Sequence, residues 1–428
     1  MRTILIAFIF LASTFAEARA STRPLHLKFD FGSGPVASGY TQVLPTTVYS
    51  KRRGYGFEPG AHISCLDRGG PDDLRRDLCT SDRPFFFSVA LPEGNYRVKI
   101  ILGDAREATA TTVKAELRRL MLERVETAPG QFQTREFVVN VRTPHITGDG
   151  EVRLKEREKE IEAWAWDERL TLEFNGEHPA IAALEISRAD VPTVFLLGDS
   201  TVCDQPLEPY SSWGQMLPRF FGPAIAIANH AESGESLRSS LAAHRLDKVL
   251  SAMKPGDYLL IQYGHNDEKE KGGGPFTTYK EALRLFVERA RQRGGIPVLI
   301  TPVHRRTFDA TGKIINSHGD YPKAMRQVAR ELNVPLIDLN AMSEAFYEAL
   351  GPERSKLAFK EGDNTHHNAY GAYELARAVI EGIRRSDLDL VRYLANDVRP
   401  FDPHHPDPPE SFKLPASPTQ LGPKPLGN

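Results

Sequence analysis

This sequence has few cysteines, a small net charge and few long apolar runs. Only three cysteines occur among its 428 residues, and their spacing matches no zinc-ligand pattern, so a zinc site built on cysteine is excluded. The formal net charge is -2, which provides no overall field to attract nucleic acid or an anionic membrane. After the first 20 residues, no run is apolar for long enough to cross a bilayer. We therefore predict no nucleic acid partner and no membrane span.

The amino terminus has the pattern of a secretory signal peptide. Residues 1–20 combine an arginine near the start, an apolar stretch over 4–15 and a small-residue cleavage motif at 18–20. We therefore expect a secreted or periplasmic protein after cleavage. In such an oxidising compartment Cys65 and Cys79, which flank a polar loop, are candidates for a disulfide, and two free buried thiols are the open alternative.

The segment 21–189 has the alternating pattern of an all-β domain. Short runs of alternating apolar and polar residues recur along it between turn residues, which is typical of a β-sandwich. We expect FFFSVAL, which starts at Phe85, to pair with NYRVKIILG, which starts at Asn95. The run 115–125 fits both a helix and a strand, and we predict a strand because strands surround it.

The opening FDFG and the strand pair that ends in LGD resemble the galactose-binding-like jelly rolls attached to many exported carbohydrate-active enzymes. The resemblance implies a jelly roll in which loop aromatics bind sugar. The aromatic candidates are Tyr55, Phe57, Trp164 and Trp166. The alternative is that these side chains pack inside or between domains, and we favour it because aromatic residues are more often buried than exposed at a site.

Between residues 190 and 396, strands and helices alternate. Apolar runs predict five strands, at 193–197, 225–229, 257–263, 297–301 and 335–338. Helical periodicity predicts helices at 213–221, 237–253, 279–293 and 321–332, and a last helix at 368–384. Together they predict a three-layer α/β/α domain with a five-stranded parallel sheet. Residues 397–428 are rich in proline and form either an extended strap over the folded domains or a disordered extension.

Polar clusters follow the carboxyl ends of the predicted parallel strands, at the sheet edge where open α/β folds bind ligands. The clusters are Gly198-Asp199-Ser200, Glu232-Ser233-Gly234-Glu235-Ser236, Gly264-His265-Asn266-Asp267, Pro302-Val303-His304-Arg305-Arg306 and Asp363-Asn364-Thr365-His366. A serine hydroxyl needs a neighbouring base to attack an ester at neutral pH, and a histidine oriented by a carboxylate is such a base. These residue types therefore suit nucleophilic catalysis at that edge.

The ordered blocks GDS, a glycine after the second strand, GHND and DxxH resemble the SGNH hydrolase superfamily, also called GDSL esterases, over about 193–384. GDST, GHND and DNTHHNAYGA are most similar to the rhamnogalacturonan acetylesterases, exported enzymes that remove acetyl groups from pectin. The resemblance implies that Ser200 is the nucleophile, that His366 is the general base and that Asp363 orients it. It implies no metal and no cofactor.

The same resemblance implies an oxyanion hole formed by the Ser200 N–H, the Gly234 N–H and the Asn266 side chain. Two alternatives stay open around these residues. His367 competes with His366 as the base. Glu235 stands where we expect arginine or a small residue, and together with Glu232 it repels galacturonate unless both side chains point outward.

For substrate binding we predict Arg305 and Arg306, because a guanidinium pairs well with a uronate carboxylate. Ordinary surface ion pairs are the alternative. We place His265 and His304 beside them as substrate-binding residues rather than metal ligands. The expected partner is an acetylated plant cell-wall polysaccharide. An esterase for another polymer such as xylan and a non-catalytic polysaccharide-binding protein are the alternatives, and no oligomeric state is predicted.

Overall fold

The structure is a computed structural model that describes residues 25–148 and 150–418. The predicted signal peptide, residues 1–20, lies outside the described residues. In the amino-terminal domain, up to Arg188, the strands are β1 (His26–Phe31), β2 (Thr41–Val43), β3 (Tyr55–Phe57), β4 (Ser64–Asp67), β5 (Asp77–Thr80), β6 (Phe85–Ala90), β7 (Gly94–Gly103), β8 (Thr109–Ala115), β9 (Arg119–Thr127), β10 (Phe132–Val141), β11 (Arg169–Glu177), β12 (Ala180–Ile181) and β13 (Ala183–Arg188). A short helix that we did not predict, α1 (Glu156–Glu160), lies between β10 and β11.

Two five-stranded sheets form the body of the amino-terminal domain. Their strand orders are β10-β7-β13-β1-β2 and β3-β6-β11-β8-β9. One hydrophobic cluster takes side chains from both sheets, including Phe31 and Val98 from the first and Phe87 and Phe174 from the second. The core therefore lies between the sheets, because alternating apolar residues give each sheet one inward face.

The predicted pairing of FFFSVAL with NYRVKIILG is wrong. FFFSVAL lies in β6, which pairs with β11 and β3, whereas NYRVKIILG lies in β7, which pairs with β10 and β13. The turn between them carries the chain from one sheet to the other. Alternation indicates which side chains face the core, but it does not indicate which strand lies alongside. The strand prediction for 115–125 is confirmed only in part, because Ala115 ends β8, residues 116–118 form a turn and residues 119–125 lie in β9.

Cys65 and Cys79 lie opposite each other in the small sheet formed by β12, β5 and β4. The structure joins them by a disulfide, with the Cα atoms 4.0 Å apart. The disulfide alternative is therefore the one realised. Cys203 is a buried free cysteine in the second domain.

The α/β domain follows from Thr193. Its strands are β14 (Thr193–Gly198), β15 (Ala226–Asn229), β16 (Tyr258–Gln262), β17 (Ile296–Ile300) and β18 (Leu336–Ile337). Its helices are α2 (Trp213–Met216), α3 (Leu237–Ala242), α4 (Arg245–Ala252), α5 (Lys280–Gln292), α6 (Tyr321–Glu331), α7 (Leu339–Arg354) and α8 (Ala369–Arg385). Among the described residues, no helix is both long and apolar enough to cross a membrane.

The predicted five-stranded parallel sheet is confirmed, with the order β15-β14-β16-β17-β18. Successive residues of β14 alternate between two hydrophobic clusters. Val194 and Leu196 belong to the cluster that includes α2, α7 and α8, and Phe195 and Leu197 belong to the one that includes α4, α5 and α6. Helices therefore cover both faces of the sheet, which is why its strands read as continuous apolar runs.

One predicted helix is wrong, and one helix was missed. The predicted helix at 237–253 is two helices, because His244 between them adopts a left-handed backbone with φ 59°. We did not predict α7 at all, although Asp338 caps its start by accepting the backbone N–H of Ala341. Its apolar residues are irregularly spaced, and Gly351 interrupts the helical geometry near its end.

The proline-rich tail takes the strap alternative as far as residue 418. Lys114 of β8 donates to the Pro415 carbonyl and to the Ser417 hydroxyl, at 2.8 and 2.7 Å. The Tyr370 hydroxyl of α8 donates to the Asp407 carbonyl at 2.6 Å. The tail therefore contacts both domains.

Candidate active site

Ser200 stands just beyond the carboxyl end of β14. A Cβ on Gly198 would lie 2.7 Å from the Gln262 carbonyl oxygen, so the strand needs glycine at its end. The Asp199 carboxylate accepts the Thr201 N–H at 2.9 Å and holds the following turn. Burial alone would raise the pKa of Asp199, but the neighbouring His265 ring and the Thr201 hydrogen bonds outweigh it and hold that pKa below its ordinary value. Ser200 itself is 9% exposed, at the sheet edge.

The loop 360–368 brings a histidine and a carboxylate to Ser200. His366 Nε2 lies 3.0 Å from Ser200 Oγ, and His366 Nδ1 lies 2.8 Å from Asp363 Oδ2. Burial favours a raised pKa for Asp363, but backbone N–H groups of Thr365 and His366 and the His366 ring lower it below its ordinary value. A carboxylate, an imidazole and a hydroxyl are therefore in hydrogen-bonded series, the arrangement that activates a serine.

His367 faces away from this series. It is 1% exposed, and its Nε2 lies 2.6 Å from the Tyr347 hydroxyl. Burial, with a smaller contribution from the His366 charge, lowers the pKa of His367 to about 3. Of the two adjacent histidines, the structure brings His366 to Ser200 and places His367 in the core.

Side-chain hydrogen bonds connect the three segments that carry the predicted oxyanion donors. The Gln205 side-chain amide donates to the Ser200 carbonyl at 2.8 Å and to the Ser233 hydroxyl at 3.3 Å, which ties the 232–236 loop to the nucleophile turn. Asn266 donates to the Glu235 carbonyl at 3.0 Å. Within residues 25–148 and 150–418, no protein acceptor takes the backbone N–H of Ser200 or of Gly234.

The acidic side chains of the 232–236 loop point into the protein. We expected them to point outward if the site binds galacturonate, because they would otherwise repel it. Glu232 and Glu235 are both buried. Glu235 lies 2.9 Å from the Lys155 ammonium and 3.6 Å from the Arg245 guanidinium. Burial, and next the Glu162 carboxylate, raises the pKa of Glu232 to about 9. Neither side chain therefore presents a negative charge to a substrate.

The four predicted substrate-binding residues fall into two groups. His265 and His304 are buried, with 2% and 1% exposed, so their rings are closed to a polymer and the structure argues against the prediction for both. Arg305 is held in an ion pair with Glu268 at 2.5 Å. Arg306 donates to the Pro352 carbonyl at 3.3 Å and lies over the Phe359 ring. The roles of Arg305 and Arg306 in substrate binding stay predictions.

The four aromatic residues considered for sugar binding pack inside or between domains. The Tyr55 and Phe57 rings lie against core phenylalanines, and Trp164 lies edge-on to Phe86 with ring centroids 5.3 Å apart. Trp166 lies under the Arg142 guanidinium at 4.5 Å. The packing alternative is therefore the one realised.

Sequence reasoning missed several residues that position the site. Tyr210 packs edge-on against His366, with ring centroids 5.9 Å apart. Arg118, in the turn between β8 and β9, donates to the carbonyls of Gln205 and Tyr210, both at 3.0 Å. No motif marks these residues, because their contacts join distant segments: the two Arg118 bonds span 87 and 92 positions, and Tyr210 lies far from His366 in the chain.

Two groups of side chains in the described part of the chain are close enough to share a cation. They are Asp104, Glu107 and His178, and Glu158, Glu162 and Glu232. Arg68 pairs with the first group, and Arg157 and Arg245 pair with the second. These arginines already supply compensating positive charge, so we assign neither group to a metal.

Two family models match this chain. One, described as the GDSL-like lipase/acylhydrolase family, matches residues 196–373. The other, described as beta-agarase/YXIM esterase-like, galactose-binding domain-like, matches residues 27–134. The uncharacterized esterase YxiM of Bacillus subtilis (strain 168) is 30% identical over 407 residues, which cover 91% of this chain and 98% of that protein. The chain belongs to the GDSL-like lipase/acylhydrolase family.

Other relatives match about half of this GDSL-family protein. The rhamnogalacturonan acetylesterase RhgT of Bacillus subtilis (strain 168) is 43% identical over 218 residues, covering 47% of this chain and 94% of that protein. A probable rhamnogalacturonan acetylesterase, YesY, of the same organism is 37% identical over 213 residues, covering 48% of this chain and 98% of that protein. The present protein is a carboxylic ester hydrolase with an amino-terminal galactose-binding-like domain.

Proposed function

We propose that this GDSL-family protein is an exported carbohydrate esterase that removes acetyl groups from rhamnogalacturonan. The observation that carries the proposal is the series Asp363, His366 and Ser200, with hydrogen-bonding distances of 2.8 and 3.0 Å. The 43% identity to a protein named as a rhamnogalacturonan acetylesterase supports the choice of substrate. Arg306, near the loop that carries Asp363, is the candidate to bind a uronate carboxylate.

In the proposed mechanism, Ser200 Oγ attacks the acetyl carbonyl while His366 Nε2 takes the hydroxyl proton. The Asp363 carboxylate stabilises the imidazolium that forms. N–H groups of Ser200, Gly234 and Asn266 hold the negative charge of the tetrahedral intermediate. His366 then protonates the leaving sugar oxygen, and a water activated by the same ring releases acetate from Ser200. No step needs a cofactor.

The proposal includes an organisation for the whole chain. Residues 1–20 are removed on export, 21–189 form a jelly-roll sandwich, 190–396 form the hydrolase domain and 397–428 form the tail. The paired five-stranded sheets and the two family matches support this division. The disulfide between Cys65 and Cys79 supports export, because disulfides persist in oxidising compartments.

Acetate release tests the proposal. The mature chain and Ser200→Ala are incubated with acetylated rhamnogalacturonan, homogalacturonan and xylan, and with 4-nitrophenyl acetate. We expect the wild type to prefer rhamnogalacturonan and Ser200→Ala to lose at least about 10⁴-fold in kcat. Ser411→Ala, an exposed serine of the tail, is the matched control and should keep wild-type rates.

Three outcomes would contradict parts of the proposal. A strong preference for xylan would contradict the proposed substrate and leave the proposed mechanism intact. An active Ser200→Ala would overturn the nucleophile. A wild type that hydrolyses no ester but is retained on a pectin column would favour a non-catalytic polysaccharide-binding protein.

A further inference from the structure

A segment of the amino-terminal domain lies directly behind the 232–236 loop. This segment, 153–162, contains α1 and contacts the α/β domain along its length. The Arg153 N–H donates to the Ala243 carbonyl at 3.0 Å. Glu158 and Arg245 form a fully buried two-point ion pair, with distances of 3.0 and 2.6 Å. These contacts fix where the segment sits relative to the loop.

Lys155 is the residue of this segment that reaches the 232–236 loop. Its ammonium donates to the Ser233 carbonyl oxygen and lies 2.9 Å from Glu235 Oε1. A Cβ placed on Gly234 would lie 3.7 Å from the same ammonium, so the charge stands against the glycine backbone. The Lys155 side chain is 36% exposed, whereas its partner Glu235 is 2% exposed.

The carbonyl that Lys155 contacts belongs to a peptide unit with a proposed catalytic role. The Ser233 C=O and the Gly234 N–H are parts of one planar amide, so fixing the oxygen also fixes the direction of the N–H. Gly234 has φ 77°, and a glycine offers little steric resistance to rotation of that amide. An ammonium on the oxygen resists such rotation, and it polarises the amide so that the N–H becomes a stronger donor.

We propose that Lys155 of the amino-terminal domain is a positioning residue for the oxyanion hole of the α/β domain. The inference rests on the proposed function, because the Gly234 N–H acts as an oxyanion donor only in that mechanism. It also accounts for Glu235, which stands where we expected arginine or a small residue: its carboxylate is the counter-ion that holds Lys155 in place. The amino-terminal domain thereby contributes to turnover as well as to stability.

Kinetics with 4-nitrophenyl acetate test this role, because so small a substrate does not depend on polymer binding. We expect Lys155→Met to lower kcat by about 10- to 100-fold with little change in KM, less than the complete loss of one oxyanion donor. Lys155→Arg should recover most of kcat, because its guanidinium can donate to the same carbonyl. The control is Lys248→Met, which removes another lysine that bonds across the domains, to Glu93 and the His145 carbonyl. It should lower the melting temperature and leave kcat unchanged.

Two results would overturn the inference. One is a Lys155→Met variant with wild-type kcat and a lower melting temperature, and the other is an equal loss of kcat in Lys155→Met and Lys248→Met. Crystal structures of the wild type, Lys155→Met and Lys155→Arg provide a readout that needs no turnover. We expect the amide between Ser233 and Gly234 to rotate in Lys155→Met and to keep its direction in Lys155→Arg, and an unchanged amide in Lys155→Met would also overturn the inference.

The two proposals fail in distinguishable ways. A wild type that hydrolyses no ester overturns the proposed function. An active wild type whose kcat is unchanged by Lys155→Met overturns only the positioning role. In the first case the crystal structures still decide whether Lys155 orients the amide.

Discussion

Loop 360–368 bonds to Ser200 directly, whereas Gln205 connects loop 232–236 to the Ser200 turn, and different kinds of contact hold the two loops. In the first, Asp363 and His366 are three residues apart and bond to each other within one turn. In the second, the contacts come from distant positions: Lys155 donates to Ser233, Gln205 donates to the Ser233 hydroxyl and Asn266 donates to the Glu235 carbonyl.

The two halves of the site therefore depend on different parts of the protein. A base and its carboxylate on one loop keep their geometry as long as that loop folds. Backbone donors on a loop that distant residues hold in place keep their direction only while those contacts persist. Substitutions that test each loop separately should therefore differ in size and in kind.

The largest expected effect distinguishes the two adjacent histidines of the first loop. His366→Asn removes the base and should lower kcat for 4-nitrophenyl acetate by at least about 10⁴-fold with little change in melting temperature. His367→Asn should keep kcat within about tenfold and lower the melting temperature, because it leaves the buried Tyr347 hydroxyl without its partner. Equal losses of kcat in the two variants would contradict the local base and carboxylate pair.

A smaller effect is expected at the second loop. Asn266→Ala removes one proposed oxyanion donor and the bond to the Glu235 carbonyl, so kcat should fall by about 10²- to 10³-fold. Steady-state kinetics on acetylated rhamnogalacturonan and 4-nitrophenyl acetate should show the same loss, because the donor acts on the carbonyl that both share. A loss confined to the polymer would instead make Asn266 a substrate-binding residue.

The smallest expected effect is a change in the pH dependence of stability. It concerns Glu116, in the turn between β8 and β9 that also carries Arg118. Burial is the main reason that the pKa of Glu116 is raised to about 8, while the Arg119 charge opposes the shift. The unfolded chain loses this proton from about pH 4.5 and the folded chain keeps it to about pH 8, so the free energy of unfolding falls as pH rises through this window.

Glu116→Gln replaces the carboxyl group by an amide that does not ionise. The variant should therefore not show this fall in the free energy of unfolding. Relative to wild type, its free energy of unfolding should therefore rise by on the order of 2 kcal/mol between pH 5 and pH 7. Urea unfolding at the two pH values measures the difference. Glu160→Gln, at an exposed glutamate of α1, is the matched control. The same rise in both variants would contradict the assignment to Glu116.

Much of the α/β domain was predictable, because strands that are buried on both faces need continuous apolar runs. Polar residues at the strand ends indicated the sheet edge at which Ser200, Asn266 and His366 lie. The missed helix α7 and the split helix at His244 are local failures, since one left-handed residue is enough to end a helix.

The placement of β6 and β7 in separate sheets was not predictable in the same way. Side-chain alternation assigns each strand an inward face, and both faces here contribute to one core. It leaves the hydrogen-bonded neighbour undetermined, so a short turn is equally compatible with a hairpin and with a crossing between sheets.

Sequence alone specified the chemistry of this protein: a serine, a histidine and a carboxylate in the right order, with glycine and asparagine placed to assist them. The DxxH spacing already favoured His366 over His367, and the structure places His366 at the serine. Only folding decided that a lysine 78 positions away from Ser233 holds its carbonyl. Residue type and spacing encode reactivity and local turns. Contacts between distant segments depend on how whole domains pack, so the sequence of neither segment indicates them.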